Sequence, residues 1–295
     1  ATFHTDSTNY NTPEPKTAWV YIDPMDVTIV WEDLQLTYNG QYQKPKASFT
    51  NAFGTPEYPA VGGAQILANT GGLTYTATID NDEFPNYTFN ETTKPFTIKK
   101  AKYDENAIIF ENATKKFNGQ EQKPDITGIP TGLDNVPVTF TLTEGQTKVG
   151  QKEVTAIFAT VSTNYEVPAQ KKAWITVEPM PVAVVWGATE LEYNGQPQAP
   201  KASFTDVSNT EVALTVGPKN TAVGNYTAEV STDAYQDYSI SNTVTPYKIV
   251  KAKYDMTGVA LEDASFVYDG KSHSIAITGS LPIGVDDIPV TVKYE

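Results

Sequence analysis

The feature that most constrains this chain is internal repetition. Residues 27–31 read VTIVW and residues 182–186 read VAVVW, while PKASF stands at both 45–49 and 200–204, each pair offset by 155. The same offset pairs Asn9-Tyr10 with Asn164-Tyr165, Trp19 with Trp174 and Pro24-Met25 with Pro179-Met180. AKYD at 101–104 recurs at 252–255, where the offset has slipped to 151. A finer period lies inside this one. An aromatic followed by Asn-Gly or Asp-Gly occurs at Tyr38-Asn39-Gly40, Phe117-Asn118-Gly119, Tyr193-Asn194-Gly195 and Tyr268-Asp269-Gly270, spaced 79, 76 and 75 residues apart. A Tyr preceded by Asn or Asp marks the same beat at Tyr10, Tyr87, Tyr165 and Tyr238. Such a period means repeated supersecondary units stacked along the chain.

The repeat divides the chain into two alternating types of about 76 residues. Residues 26–99 and 181–250 are type A and residues 100–180 are type B. Residues 1–25 read as the C-terminal part of a split B and 251–295 as the N-terminal part of another. By alignment, only the 12 positions equivalent to 144–155 separate Glu295 from Ala1 on the B pattern. This predicts either an excerpt of a longer array or a subunit whose split module is completed by a neighbour.

Each unit reads as β-structure. Tyr75, Ala77 and Ile79 alternate with Thr76 and Thr78, and Tyr226, Ala228 and Val230 repeat the pattern. Period-two alternation is the mark of a half-buried strand. No stretch carries a useful helical stripe, and 19 Gly and 20 Pro interrupt the chain often. The expected fold is all-β, with tandem Ig-like antiparallel sandwiches of six or seven strands placed end to end. Asn-Gly and Asp-Gly are strong hairpin signals, so a tight hairpin is expected at each of the four steps. Tyr38, Tyr193 and Tyr268 are expected in the core beside them.

Composition narrows the function. The net charge is -14, and all 21 basic residues are Lys. An acidic chain without Arg suits nucleic acid poorly, because phosphate contacts and guanine readout need clustered positive charge. With no Cys there are no disulfides or thiolate sites. No apolar run approaches the roughly 20 residues of a membrane span.

Candidates for chemistry are sparse. His4 and His273 are the only histidines and neither belongs to a repeated site. Zinc ligation needs more His or Cys, and neither a Gly-x-Ser-x-Gly elbow nor a phosphate-cradling loop is present. Asp80, Asp82 and Glu83 form the densest acidic run, a weak calcium candidate because that ion favours oxygen-rich loops. Its second-copy counterpart STDAYQDY loses the equivalent of Glu83. No other cofactor is expected. Lys102 and Lys253 recur with Asp104 and Asp255, read as solvated charges with a Lys–Asp or Lys–Asn crosslink as the alternative. Asn86, Asn90, Asn112 and Asn225 are Asn-x-Thr sequons. Trp19, Trp31, Trp174 and Trp186 flank Pro24 and Pro179, at one kind of junction only. They read as core residues of their own modules or as braces of that junction.

The aromatic-Asn/Asp-Gly step, a later Gly (Gly72, Gly150, Gly224), a Tyr-Thr-Ala strand, an Asn-Tyr and a closing Ile/Val strand together resemble bacterial MBG-type and related Ig-like repeats. AKYDMTGVALEDASFVYDGKSHSIAITGSLPIGV is similar to repeats of large Firmicutes surface proteins. The resemblance implies an exported cell-surface stalk or adhesin with no catalytic residues to carry over. The expected function is structural and extracellular: a rod, stalk or filament. Its partners would be flanking repeats or other copies, head to tail, through completion of the split module. The alternative is an adhesive module for glycan or host protein, for which the differing A loops, Asn51–Gly72 and Asp206–Gly224, are the place to look. An enzyme is the least expected class.

Overall fold

A computed structural model describes residues 1–294. The described chain is all β-structure and turns, with 24 strands and no helix. It forms two compact units. The first comprises residues 1–110, 126–141 and 155–171, and the second the described residues of 111–125, 142–154 and 172–294.

In the first unit, residues 26–99 make a sandwich. One layer is the sheet Gln35–Thr37, Thr93–Lys99, Tyr75–Ile79, Val61–Gly62, in that order. The facing layer is Val30–Glu32, Lys46–Thr50 and Pro56–Glu57, with the pair Met25–Val27 and Tyr87–Phe89 beside it. Alternation does the work, since successive side chains point to opposite faces. In Lys46–Thr50 it turns Ala47 and Phe49 inward, and in Thr93–Lys99 it turns Phe96 and Ile98 inward. Phe49 is then ringed by Phe84, Tyr87 and Phe89 at 5.1, 5.1 and 5.3 Å between centroids.

In the second unit, residues 180–250 repeat this plan strand for strand. Glu190–Glu192, Val244–Val250, Gly224–Val230 and Val216–Gly217 form the four-stranded sheet. Val185–Trp186, Ala202–Thr205 and Glu211–Ala213 face it, and Met180–Ala183 pairs with Tyr238–Ser241. Ala113–Lys116 pairs in parallel with Ile175–Glu178 in the same unit.

The hairpin expectation is corrected. At all four steps only the Gly has positive φ, at 75, 76, 76 and 79° for Gly40, Gly119, Gly195 and Gly270. The preceding Asn39, Asn118, Asn194 or Asp269 instead accepts a hydrogen bond on Oδ1 from the backbone N–H two residues on, each at 2.9 Å. That is an Asx-turn. The strand before it pairs in parallel with the module's last strand: Gln35–Thr37 with Thr97–Lys99, and Glu190–Glu192 with Lys248–Val250. The strand after the turn crosses to the facing layer. Asn-Gly specifies a tight turn, but a hairpin also requires the two flanking strands to be hydrogen-bonded neighbours, and here they are not.

Within 1–24 and 251–294 no strand forms. The latter segment holds two isolated bridges, Ala260–Thr278 and Ile283–Pro289. The side chains of Trp19, Val20, Tyr21, Ile22, Val267 and Tyr268 stand exposed.

Candidate functional site: a recurring aromatic contact

The two sequence marks meet. In the first unit Tyr38, from aromatic-Asn-Gly, packs edge-on against Tyr165, from Asn-Tyr, with centroids 5.6 Å apart. In the second unit Phe117 packs edge-on against Tyr238 at 5.4 Å. Edge-to-face geometry sets the positive rim of one ring against the negative face of the other. Tyr38 and Phe117 thus each touch a Tyr of the second mark, 127 and 121 residues further along the chain. Spacing alone recorded both marks; it could not say that they touch across a boundary.

Three further features accompany each contact. The Tyr hydroxyl is fixed by a loop of its own module: Tyr165 accepts from Leu133 N at 2.9 Å and Tyr238 from Val207 N at 3.3 Å. That loop residue lies over the Gly of the preceding module. A Cβ on Gly40 would sit 3.3 Å from Leu133 Cβ, and one on Gly119 3.1 Å from Val207 Cγ2. The residue before the Tyr accepts a backbone hydrogen bond from the preceding module: Asn164 Oδ1 from Ala68 N at 3.0 Å, and Asp237 Oδ1 from Val149 N at 2.9 Å. Ala68 and Val149 each stand three residues beyond a bridged Gln, Gln65 and Gln146.

The Tyr38–Tyr165 contact has the fuller network. Tyr103 stacks on Tyr165 with centroids 4.3 Å apart, and its hydroxyl reaches Thr160 Oγ1 at 2.8 Å and Val136 O at 3.2 Å. Asp134 accepts from Ser162 Oγ at 2.5 Å and from Asn164 Nδ2 at 3.2 Å. Ser162 and Asn164 are buried, so these bonds satisfy groups that would be costly to leave unpaired. Burial pushes the Asp134 carboxyl up, but the hydrogen bonds from Ser162, Asn164 and Val136 N outweigh it and hold it below the usual carboxylate range. Burial, reinforced by the negative fields of Asp134 and Tyr165, raises the Tyr38 phenol above its ordinary value.

The remaining sequence candidates fall elsewhere. Tyr38 is buried and Phe117 and Tyr193 are half-buried, whereas Tyr268 is 92% exposed, so the core expectation fails for Tyr268. Its ring lies in a segment without strands, so no sheet face covers it. Trp186 packs into the core of its own module and donates from Nε1 to Asn242 O at 2.9 Å. Trp31 is half-buried, its Nε1 without a hydrogen-bond partner. Trp174 and Trp19 are exposed. Asp80 accepts from Asp82 N at 3.0 Å, and among the described residues no three His, Cys, Asp or Glu side chains gather as a metal site. The exposed Lys102 lies 3.9 Å from Glu166. His4 pairs with Asp6 and His273 with Asp269. Asn90 and Asn112 use Oδ1 to accept from Ile29 N and Trp174 N.

Comparison with family models finds no match, and comparison with curated proteins finds none.

Proposed function

We propose that this chain is a structural repeat region of an extracellular bacterial surface protein, a rod or stalk whose modules are held in fixed succession, and that it has no enzymatic role. The observation that carries this reading is the recurrence of one contact. The Tyr38–Tyr165 and Phe117–Tyr238 pairs share an edge-on ring geometry, an apolar loop residue over the glycine (Leu133 or Val207) and a side-chain Oδ1 acceptor (Asn164 or Asp237) for a backbone N–H of the preceding module. A chain that moved freely between modules would need none of these. The MBG-type resemblance supports placement on a cell surface, and the acidic composition supports solubility there.

Small-angle scattering of the 295-residue chain tests the reading. Modules of about 30 Å in fixed succession give a rod on the order of 120 Å. A distance distribution typical of a flexible string overturns it.

One observation favours the adhesive alternative. Tyr42, Phe53 and Tyr58 are exposed on the first type A module, where the second has Pro197, Ser208 and Ala213. Exposed aromatics suit sugar stacking. Glycan binding by the wild type that Phe53→Ala and Tyr58→Ala abolish would support this reading.

A further inference from the structure

The two type A modules share a plan but differ in one patch of side chains. In the first, Glu32 lies opposite Lys46 on the neighbouring strand, and Lys46 Nζ pairs with Asp33 Oδ2 at 2.9 Å. Beside them Lys44 Nζ donates to Val61 O at 2.7 Å. At the offset of 155 the second module has Gly187, Ala188, Ala199 and Lys201 in place of Glu32, Asp33, Lys44 and Lys46. Lys201 therefore lacks both acids. Tyr42 is likewise replaced by Pro197 and, by strand register, Tyr58 by Ala213.

All five shortened positions line an open cleft of about 920 Å³ in the second module, with walls from both sheet layers. That volume is within the usual range of small-molecule sites. The matching flank of the first module faces solvent, for Tyr42 and Tyr58 are 75 and 72% exposed. Trp186, Leu191 and Val216 form the apolar floor of the cleft, packed on the buried Ala228, Tyr247 and Ile249. Lys201, Ser203, Glu211 and Lys219 line it as well, and their side chains make no hydrogen bond or ion pair among the described residues. In the first module Glu32, Asp33, Lys44 and Lys46 balance in charge, and Pro56 and Ala64 stand at the places of Glu211 and Lys219. The second module thus presents a net positive cleft in a chain whose net charge is -14.

We propose that this cleft binds a hexuronate, a pyranose whose ring carries a carboxylate beside free hydroxyls. The carboxylate takes the place that Asp33 holds in the first module and pairs with Lys201, with Lys219 as the second cation. Such charge-assisted bonds are the strong ones. The C–H face of the ring lies on the Trp186 floor, and the sugar hydroxyls bond to Ser203 and Glu211. An acidic peptide would meet the lysines, but its further carboxylates would be repelled by Glu211. The site belongs to a different module from Phe53 and Tyr58, and it does not depend on the rod reading.

Calorimetric titration of the full chain with trigalacturonate tests this. Wild type is expected to bind it, and to bind the carboxyl-reduced trisaccharide about tenfold more weakly or worse, the scale of a lost charged hydrogen bond. Lys201→Gln is expected to weaken binding by a similar factor. Ala188→Asp, which gives Lys201 the internal partner that Lys46 has, is expected to do the same without lowering the Tm. Lys46→Gln and Phe53→Ala, both in the first module, are expected to leave binding unchanged. Wild type that binds no trigalacturonate overturns the proposal, and so does equal affinity for the reduced sugar. Wild-type affinity in Lys201→Gln or Ala188→Asp overturns it too. Binding lost in Phe53→Ala, or a pentaglutamate peptide that binds more tightly than the sugar, also overturns it. None of these outcomes bears on whether the chain scatters as a rod.

Discussion

The Tyr38 and Tyr193 regions are built from nearly the same residues, yet one is closed and the other open. Around Tyr38, Tyr165 fills the space and its neighbours Ser162 and Asn164 satisfy Asp134. Around Tyr193 the turn, the Tyr254 hydroxyl bond and the glycine-capping Val285 are in place without such a filler. The difference separates two jobs that sequence identity merges. The loop 282–290 shapes itself through its own backbone bonds, whereas the ring stack and the buried polar network exist only where an Asn-Tyr segment is seated.

The largest expected effect comes from removing the filler. Tyr165→Ala should cost about 3–5 kcal/mol, as deletion of a buried aromatic does, read by denaturant unfolding. Tyr254→Ala, in the open region, should cost well under half as much as Tyr103→Ala, its counterpart beside Tyr165, does in the monomer. Equal losses would mean that the two regions are closed alike in solution.

Next comes the carboxylate. Asp134→Ala strands the buried Ser162 hydroxyl and Asn164 amide and should cost about 1–3 kcal/mol. Its folded-state pKa lies below the ordinary value, so its contribution is present above roughly pH 4 and fades as pH falls through the lowered folded value. Asp134→Asn should therefore flatten the acid limb of the stability profile. An unchanged limb would place the acid sensitivity elsewhere.

Glycine substitutions probe the cap. Gly40→Ala and Gly270→Ala both force a Cβ onto positive φ, at about 1–2 kcal/mol. Only Gly40 has a neighbour above it, at 3.3 Å, while Gly270 has nothing within 4 Å. Gly40→Ala should thus be worse by a few tenths of a kcal/mol, seen as a lower Tm. The smallest effect is expected at Trp19, which is 85% exposed. Trp19→Ala should change monomer stability by less than about 0.5 kcal/mol, whereas Trp186→Ala, which empties a core position, should be plainly destabilising.

The sequence by itself determined the all-β class, the alternation that buries Ala47, Phe49, Phe96 and Ile98, and the recurrence of both aromatic marks. These are legible because a strand's side-chain period is fixed at two and a repeat copies whole units. It also located a tight turn at each Asn-Gly or Asp-Gly, since only Gly takes positive φ there without strain. Only the tertiary structure decided what those turns join. Strand pairing is a long-range choice, and Gln35–Thr37 lies beside Thr93–Lys99 rather than beside the strand that follows it. The meeting of Tyr38 with Tyr165 was equally hidden. Their separation of 127 residues carries no periodic signal, and the contact arises only when two folded modules bring an edge ring and a loop together.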